Sequence, residues 1–395
     1  MDDSIVITGF GMVGALGSDS AAALAAMDAG QAATAVPREG SNVPAAAVQG
    51  FAATDYINRK KVRRMDAVNT YAIAAAQMAL ADAGVADEAH KRNCGVIVGT
   101  GFSGFASVVE HHKAYLAEGI TGLTPIHFPN TVYNATAGMV AIELALDGPN
   151  STLVGVDQSG EYALMYGWML LRQGMCERVV VIGADDLPAP LLRGFAEMGL
   201  GRRDDDGALP FSRGAAGCLP SEGAGALVLE TAAAAAARGA RVLGRIEGIG
   251  QYAGADSVFG HGELGPAVRR SVSAALDRAG IAIGDIDWVS SAASGTPSLD
   301  QGEASAWAGL LDAERHELVA LKGHLGEFAS SGVLRLGLAL RCMERGRLPA
   351  RDAADALPEV APLLARAGSR PARRVLHQGA GIGASAVSIV VGAPA

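Results

Sequence analysis

The sequence has little of what would staple, metallate or anchor a protein. Its 395 residues hold four cysteines, Cys94, Cys176, Cys218 and Cys342, far apart and without a Cys-x-x-Cys pair. That usage excludes a disulfide framework and a zinc knuckle and leaves reduced thiols as the expectation. The eight histidines are scattered, and no metal or cofactor is expected from them. Aromatic residues are 5% of the chain, so the core has to be built from aliphatic side chains. Lys and Arg number 32 against 41 Asp and Glu, a net charge of −9. Such a chain does not neutralise phosphates, which excludes general nucleic-acid binding. Apolar runs are broken by glycine or charge before the ~18 residues that a membrane span needs. The opening "MDDSIVITGFG" has an acidic head and no basic region, unlike a secretory signal, so a cytoplasmic location is expected.

What is abundant is aliphatic side chain and glycine: half the chain is hydrophobic and 52 residues are Gly. Short apolar runs ending in Gly or small residues recur, as in "SIVITGFG", "CGVIVGTG", "STLVGV", "RVVVIGAD" and "GAGALVLE". Alanine-rich helical stretches lie between them, such as "MDAVNTYAIAAAQMALADAG", where Gly84 marks the stop. From about residue 243 the pattern restarts with "RVLGRIEGIG", "PAVRRSVSAALDRAG" and "DIDWVSSAASG". Near-continuous apolar strands alternating with helices predict an α/β fold with sheets covered on both faces. The restart predicts two similar halves, 1–242 and 243–395. The loop "GRRDDDGALPFSRGAAG" over 201–217 is polar and glycine-rich, and is expected to be exposed.

The stretch "GVDQSGEYALMYG", Gly155–Gly167, carries the first functional question. "STLVGV" before it reads as a buried strand. The stretch after it repeats Tyr162, Met165, Tyr166, Met169 and Leu170 at helical spacing. A strand that turns sharply into a helix is a place to mount a nucleophile, because the first helical N–H groups favour negative charge. This turn offers Asp157, Gln158 and Ser159, and no cysteine.

In order and spacing these segments resemble the β-ketoacyl synthase family of the thiolase fold, along nearly the whole chain. "SIVITGFGMVGALG" is similar to its first strand, "DYINRKKVRRMDAVNTYAIAAAQMALADAG" to its Arg-rich segment and long helix, and "GPNSTLVGVDQSG" to its nucleophile strand and turn. "RVVVIGADD", "LPSEGAGALVLE", "GTPSLDQGEA" and "GAGIGAS" are similar to later segments. The resemblance implies a thiolase-like five-layered αβαβα fold from two duplicated halves, and a dimer. It also implies chemistry by a cysteine thioester, two histidines and a lysine.

The chemistry is where the sequence departs. Asp157 stands in the cysteine place of Cys-x-Ser-Gly, either as a helix cap or as a reactive carboxylate. Ala292 stands in the place of the first histidine, and an alanine cannot polarise a thioester carbonyl or move a proton. In the Lys-x-x-x-Gly-His pattern, "LKGHLGEFASSG" keeps Lys322 and Gly326 and places Glu327 on the second histidine, with His324 in a rival register. Glu327 beside Lys322 predicts an ion pair. The family's gating phenylalanines are replaced by Ala380 and Ile382. The serines of "ASSG" read as small residues that let a helix approach a sheet.

The family includes the chain length factor of type II polyketide synthases, a subunit without the nucleophile that pairs with an active ketosynthase. The resemblance implies such a heterodimer, served by an acyl carrier protein, with no catalytic residue here and no cofactor. It implies tunnel or interface positions at Thr131, Val132, Tyr133 and Thr136, with Phe102 or Phe105 contributing. It implies carrier-protein docking at Lys60, Lys61, Arg63 and Arg64, within the basic segment "NRKKVRRMD". The alternative is a repurposed acyl-thioester enzyme using Asp157, Glu327 or His324.

Overall fold

The computed structural model describes residues 4–37, 41, 43–85, 87–202, 209–254, 262, 264–366 and 368–394. Its strands, in chain order, are β1 Ile5–Val13, β2 Ala35–Val36, β3 Ala45–Ala46, β4 Cys94–Thr100, β5 Asn150–Val154, β6 Arg178–Asp185, β7 Gly223–Thr231, β8 Gly244–Ala253, β9 Trp288–Ser290, β10 Glu317–Val319, β11 Arg374–Gly381 and β12 Ser385–Gly392. Ten of them form one sheet in the order β10-β9-β11-β12-β8-β1-β7-β6-β4-β5, and β2 pairs with β3 apart from it.

The sheet order contains a repeat. Outward from the centre, one half runs β1-β7-β6-β4-β5 and the other β8-β12-β11-β9-β10. Leaving the small β2–β3 pair aside, each is the first, fifth, fourth, second and third strand of its half. The strand directions repeat as well: two antiparallel pairings, then two parallel ones. β1 and β8 pair antiparallel and join the halves. Helices Ala67–Asp82 and Ala135–Leu144 cover the outside of the first half, and Leu264–Ala279 covers that of the second with Pro297–Leu310 beside it. Helices Ser159–Arg172 and Gly332–Arg345 pack against each other between the halves. The result is the five-layered arrangement of two duplicated halves.

Glycine spacing explains the close layering. A Cβ at Gly9 or Gly11 of β1 would lie 2.1 Å from the carbonyl oxygen of Ala79 or Ala75. A Cβ at Gly248 or Gly250 of β8 would lie 2.2 or 2.0 Å from that of Ala275 or Ser271. Each half therefore lays its first long helix on its first strand at backbone contact, through a Gly-x-Gly step. "TGFG" and "EGIG" are the sequence trace of the duplication.

Three expectations are corrected. β5, read as a buried strand, is an edge strand with Val154 half exposed; a short apolar run does not reveal whether a neighbour lies on both sides. The helix after it buries Ala163, Leu164, Gly167, Leu170 and Leu171, while Met169 is exposed. Of the five residues at helical spacing, Leu170 alone is buried, and Tyr162, Met165 and Tyr166 are partly buried against the core. In the loop 201–217, Phe211 and Ser212 are buried; residues 203–208 lie outside the described residues. The four cysteines are free and buried, and among the described residues no helix is long and apolar enough to cross a membrane.

Between the halves lies a buried ionic cluster. Glu161 Oε1 accepts from Arg335 Nη2 at 2.6 Å and from His377 Nε2 at 3.2 Å, and all three side chains are buried. Arg335 Nη1 also donates to the carbonyls of Ser291 and Gln378 at 2.8 and 3.1 Å. Burial alone would raise the Glu161 carboxyl; the His377 hydrogen bond and the Arg335 charge hold it below its usual range instead. Burial, then the Arg335 charge, lowers His377 from 6.5 to about 4, against the pull of Glu161. Lys322 acts in the same direction as Arg335 on both groups.

Glu161→Ala leaves a guanidinium buried without its counter-ion, so a loss of about 3–5 kcal/mol of unfolding free energy is expected, read from urea unfolding. His377 is neutral when folded and takes up a proton readily when unfolded. Its contribution is therefore full above 6.5 and is lost as pH falls toward about 4. Stability measured across that window is expected to fall less steeply in His377→Asn; an unchanged slope refutes the assignment.

Candidate functional site

β5 runs into the turn Gly155–Gln158, and the helix begins at Ser159. The Gly155 N–H donates to Ser159 Oγ at 3.1 Å, which fastens the turn to the helix start. Gln158 is buried and donates through Nε2 to Ser385 O and Oγ at 2.7 and 2.8 Å. Asp157 does not cap its helix: the cap residue is Gln158, and no side chain caps there. The Asp157 Oδ2 instead accepts from the Ile382 N–H at 3.0 Å. The two segments meet because position 381 is glycine; a Cβ there would lie 2.7 Å from that of Asp157. The carboxylate thus takes its donor from the segment that replaces the gating loop.

Asp185, fully buried at the end of β6, fixes the neighbouring loops. Its Oδ1 accepts from Thr100 Oγ1 and the N–H groups of Gly101 and Phe102 at 2.8, 2.8 and 3.0 Å. Its Oδ2 accepts from the Ser330 N–H and hydroxyl at 3.0 and 2.7 Å. The small residues of "ASSG" serve as expected: a Cβ at Gly160 or Gly183 would lie 2.6 or 2.1 Å from Ser330 O. The glycines of "GTGFSG" also mark close packing, since a Cβ at Gly99 would lie 2.1 Å from Ser159 O.

Lys322, buried on this loop, forms the expected ion pair with Glu327. Burial raises the Glu327 carboxyl from 4.5 to about 7, with Lys322 opposing and Asp157 adding to the rise. Glu327 Oε1 has no hydrogen-bond partner. Ala292 is fully buried, and its N–H donates to Glu303 Oε1 at 3.1 Å. His324 is corrected: its Nδ1 lies 2.9 Å from Gln31 O, and it lines a separate cavity with Leu209, Pro210 and Arg351. Two residues past Lys322 on a helical turn, it points away from Glu327. The rival register and its use with Asp157 are both lost.

Asp157, Lys322 and Glu327 meet at one cavity of about 200 Å³. Its walls are apolar, with Phe102, Val156, Phe195, Met198, Leu299 and Ile382 among them. The rings of Phe102 and Phe195 meet edge to face at 6.0 Å. Ser294 and Thr296 add hydroxyls, and Cys218 adds a buried thiol that burial pushes well above its usual range. No histidine is among the described residues that line it.

The remaining expected residues lie elsewhere. Val132 and Tyr133 are about half exposed, and Thr131 bonds Phe128 O at 2.8 Å through its hydroxyl. Thr136 is buried and donates to Asn69 Oδ1 at 2.7 Å. None of the four lines the cavity of Asp157. Phe105 packs in the same cluster as Phe102 and Phe195 without lining it. Lys60, Lys61, Arg63 and Arg64 are exposed, with Lys61 paired to Glu143 at 2.8 Å. The sequence reading missed Glu161, Arg335 and His377. An arginine inside the apolar helix "SGVLRLGLAL" was the available signal, since a charge there needs a buried partner.

Comparison with known proteins follows the same lines. The family profile "Beta-ketoacyl synthase, N-terminal domain" matches residues 2–235, and "Beta-ketoacyl synthase, C-terminal domain" matches 243–352. The 3-oxoacyl-[acyl-carrier-protein] synthase 2 of Staphylococcus aureus (strain COL) is 30% identical over 315 residues, 76% of this chain and 75% of that protein. That of Vibrio cholerae is 28% identical over 310 residues, again 76% and 75%. A solved structure described as the ishigamide ketosynthase/chain length factor superposes with a TM-score of 0.88 at 26% identity, over 99% of both chains. A beta-ketoacyl synthase from Burkholderia phymatum STM815 gives 0.87 at 26%, over 99% of this chain and 100% of that one. With its thiolase-like halves, family profiles that match both of them and a relative at 30% identity, this chain belongs to the β-ketoacyl synthase family.

Proposed function

We propose that this chain is a non-catalytic ketosynthase-like subunit, a chain length factor. In this reading it pairs with an active ketosynthase, is served by an acyl carrier protein, and helps set the length of a polyketide or acyl chain. The observation that carries the reading is the Asp157 carboxylate held on the Ile382 N–H in the nucleophile turn. A carboxylate that took an acyl group from a thioester would form an anhydride, too reactive to serve as a resting intermediate. Ala292 offers a methyl group, and Lys322 is held by Glu327. The likeness to a ketosynthase/chain length factor structure over 99% of both chains supports the pairing.

The surface supports it too. Among the described residues, every exposed large apolar side chain other than Met169, Met175 and Met198 falls between Val108 and Val156. Leu116, Ile120 and Ile142 are 71, 79 and 76% exposed. This stretch ends in the edge strand β5. Concentrated apolar surface beside an open strand edge suits a protein partner. Thr131, Val132 and Tyr133 belong to this stretch, where side chains can close the far end of a partner's tunnel. Lys60, Arg63 and Arg64 form the basic patch for an acidic carrier protein. The halves divide at 242/243, between β7 and β8.

A second reading has one observation in its favour: Asp157 and Glu327 share a cavity, and Glu327 is raised to about 7, a useful value for acid–base work at neutral pH. The two readings separate by assay. The chain alone is expected to neither decarboxylate nor condense malonyl carrier protein, and to support product formation once its ketosynthase is added. Asp157→Ala and Glu327→Ala are then expected to leave product formation by the pair within about twofold, where the loss of an acid or base costs on the order of 10²-fold or more. Turnover by the isolated chain overturns the first reading.

For the tunnel, Tyr133→Ala removes bulk and is expected to lengthen the product of the intact pair, read by mass spectrometry beside native mass. Unchanged length with a preserved pair leaves Tyr133 as interface packing alone.

A further inference from the structure

We propose that the cavity of Asp157 is a charge filter: it admits an uncharged acyl thioester end and turns away one that carries a carboxylate, such as a malonyl group. The proposal deepens the reading above and rests on it only in taking thioester-borne acyl groups as what reaches the cavity.

An anion needs donors or cations that are free to receive it, and several of the groups suited to this are engaged from within. The Ile382 N–H donates to Asp157 Oδ2 at 3.0 Å. The Lys322 ammonium is paired with Glu327. The Ser294 hydroxyl donates to Thr296 Oγ1 at 3.1 Å. Arg335, the other cation nearby, is paired with Glu161 and donates through Nη1 to the carbonyls of Ser291 and Gln378. Ala292 brings no donor beyond its backbone N–H, which is bound to Glu303.

What faces the cavity instead is acceptor. Asp157 and Glu327 are both in its lining, against one ammonium. Glu327 Oε1 is buried without a hydrogen-bond partner. The Cys218 thiol stays uncharged, because burial and the neighbouring Glu327 raise it. A second carboxylate entering this volume of about 200 Å³ meets two carboxylates set against one ammonium in a poorly solvated place. A neutral acyl end meets Phe102, Phe195, Met198 and Ile382 and loses nothing by leaving water. The result is a pocket that takes the apolar end of a chain and leaves the extender unit to another site.

The test compares malonyl-pantetheine with acetoacetyl-pantetheine, a neutral thioester of the same shape, by calorimetric titration of the purified chain at about pH 8, above the value of about 7 to which Glu327 is raised, so that both carboxylates are charged. The wild type is expected to bind the neutral thioester at least about tenfold more tightly, since like-charge juxtaposition is strongly disfavoured. Asp157→Asn and Glu327→Gln should each narrow the difference, and the double variant should abolish it while still binding the neutral thioester. That retained binding reports a folded cavity. Equal affinities in the wild type, no binding of the neutral thioester, or a preference that survives in the double variant overturns the filter. A chain that discriminates as expected yet condenses acyl units without a partner overturns the non-catalytic reading and leaves the filter standing.

Discussion

Arg335 is the constraint on which the surroundings of the cavity depend. A guanidinium buried between the two halves must have its charge met, or the fold loses several kcal/mol. Three segments meet that need: Glu161 in the helix after the nucleophile turn, the carbonyl of Ser291, and the carbonyl of Gln378 on β11. Each lies close in sequence to a residue that lines the cavity or to Ala292. Glu161 follows Asp157 by one helical turn, Ser291 precedes Ala292, and Gln378 lies four residues before Ile382. An ion pair and two backbone hydrogen bonds hold these three segments together.

The cavity shows the same economy at the level of single hydrogen bonds. Its acceptors are side chains of this polypeptide, and they occupy the donors that a substrate oxygen would use. Asp157 takes a backbone N–H that only a glycine at 381 allows it to reach. Glu327 takes the ammonium of Lys322. The cavity sets two carboxylates against one ammonium, whereas stabilising an oxyanion requires donors that are free and aimed at it. Its apolar walls remain, and they are what a neutral acyl chain would contact.

The outer surface is divided by chemistry. Exposed large apolar side chains fall almost wholly in the stretch from Val108 to Val156, beside the edge strand β5. The opposite end of the sheet is closed: β10 exchanges backbone hydrogen bonds with the Leu363–Ala365 segment, at 2.7 and 3.0 Å. One sheet edge is thus open and the other is blunted.

Much of this was legible in the sequence because it depends on local pattern. Apolar runs and alanine-rich helices fix the α/β class, and the restart near residue 243 marks the second half. The Gly-x-Gly steps at Gly9 and Gly248 record the duplication in residues that permit only backbone-close packing. The Lys322–Glu327 pair follows from the spacing of "LKGHLGEFASSG". Tertiary structure decided what periodicity cannot encode. It turned Asp157 from a cap into an acceptor for Ile382, sent His324 to another cavity, put β5 at an edge and buried Glu161, Arg335 and His377 together. Each of these is a meeting of residues far apart in the chain. A carboxylate takes whichever donor the fold brings within about 3 Å of it, and sequence spacing carries no information on that distance.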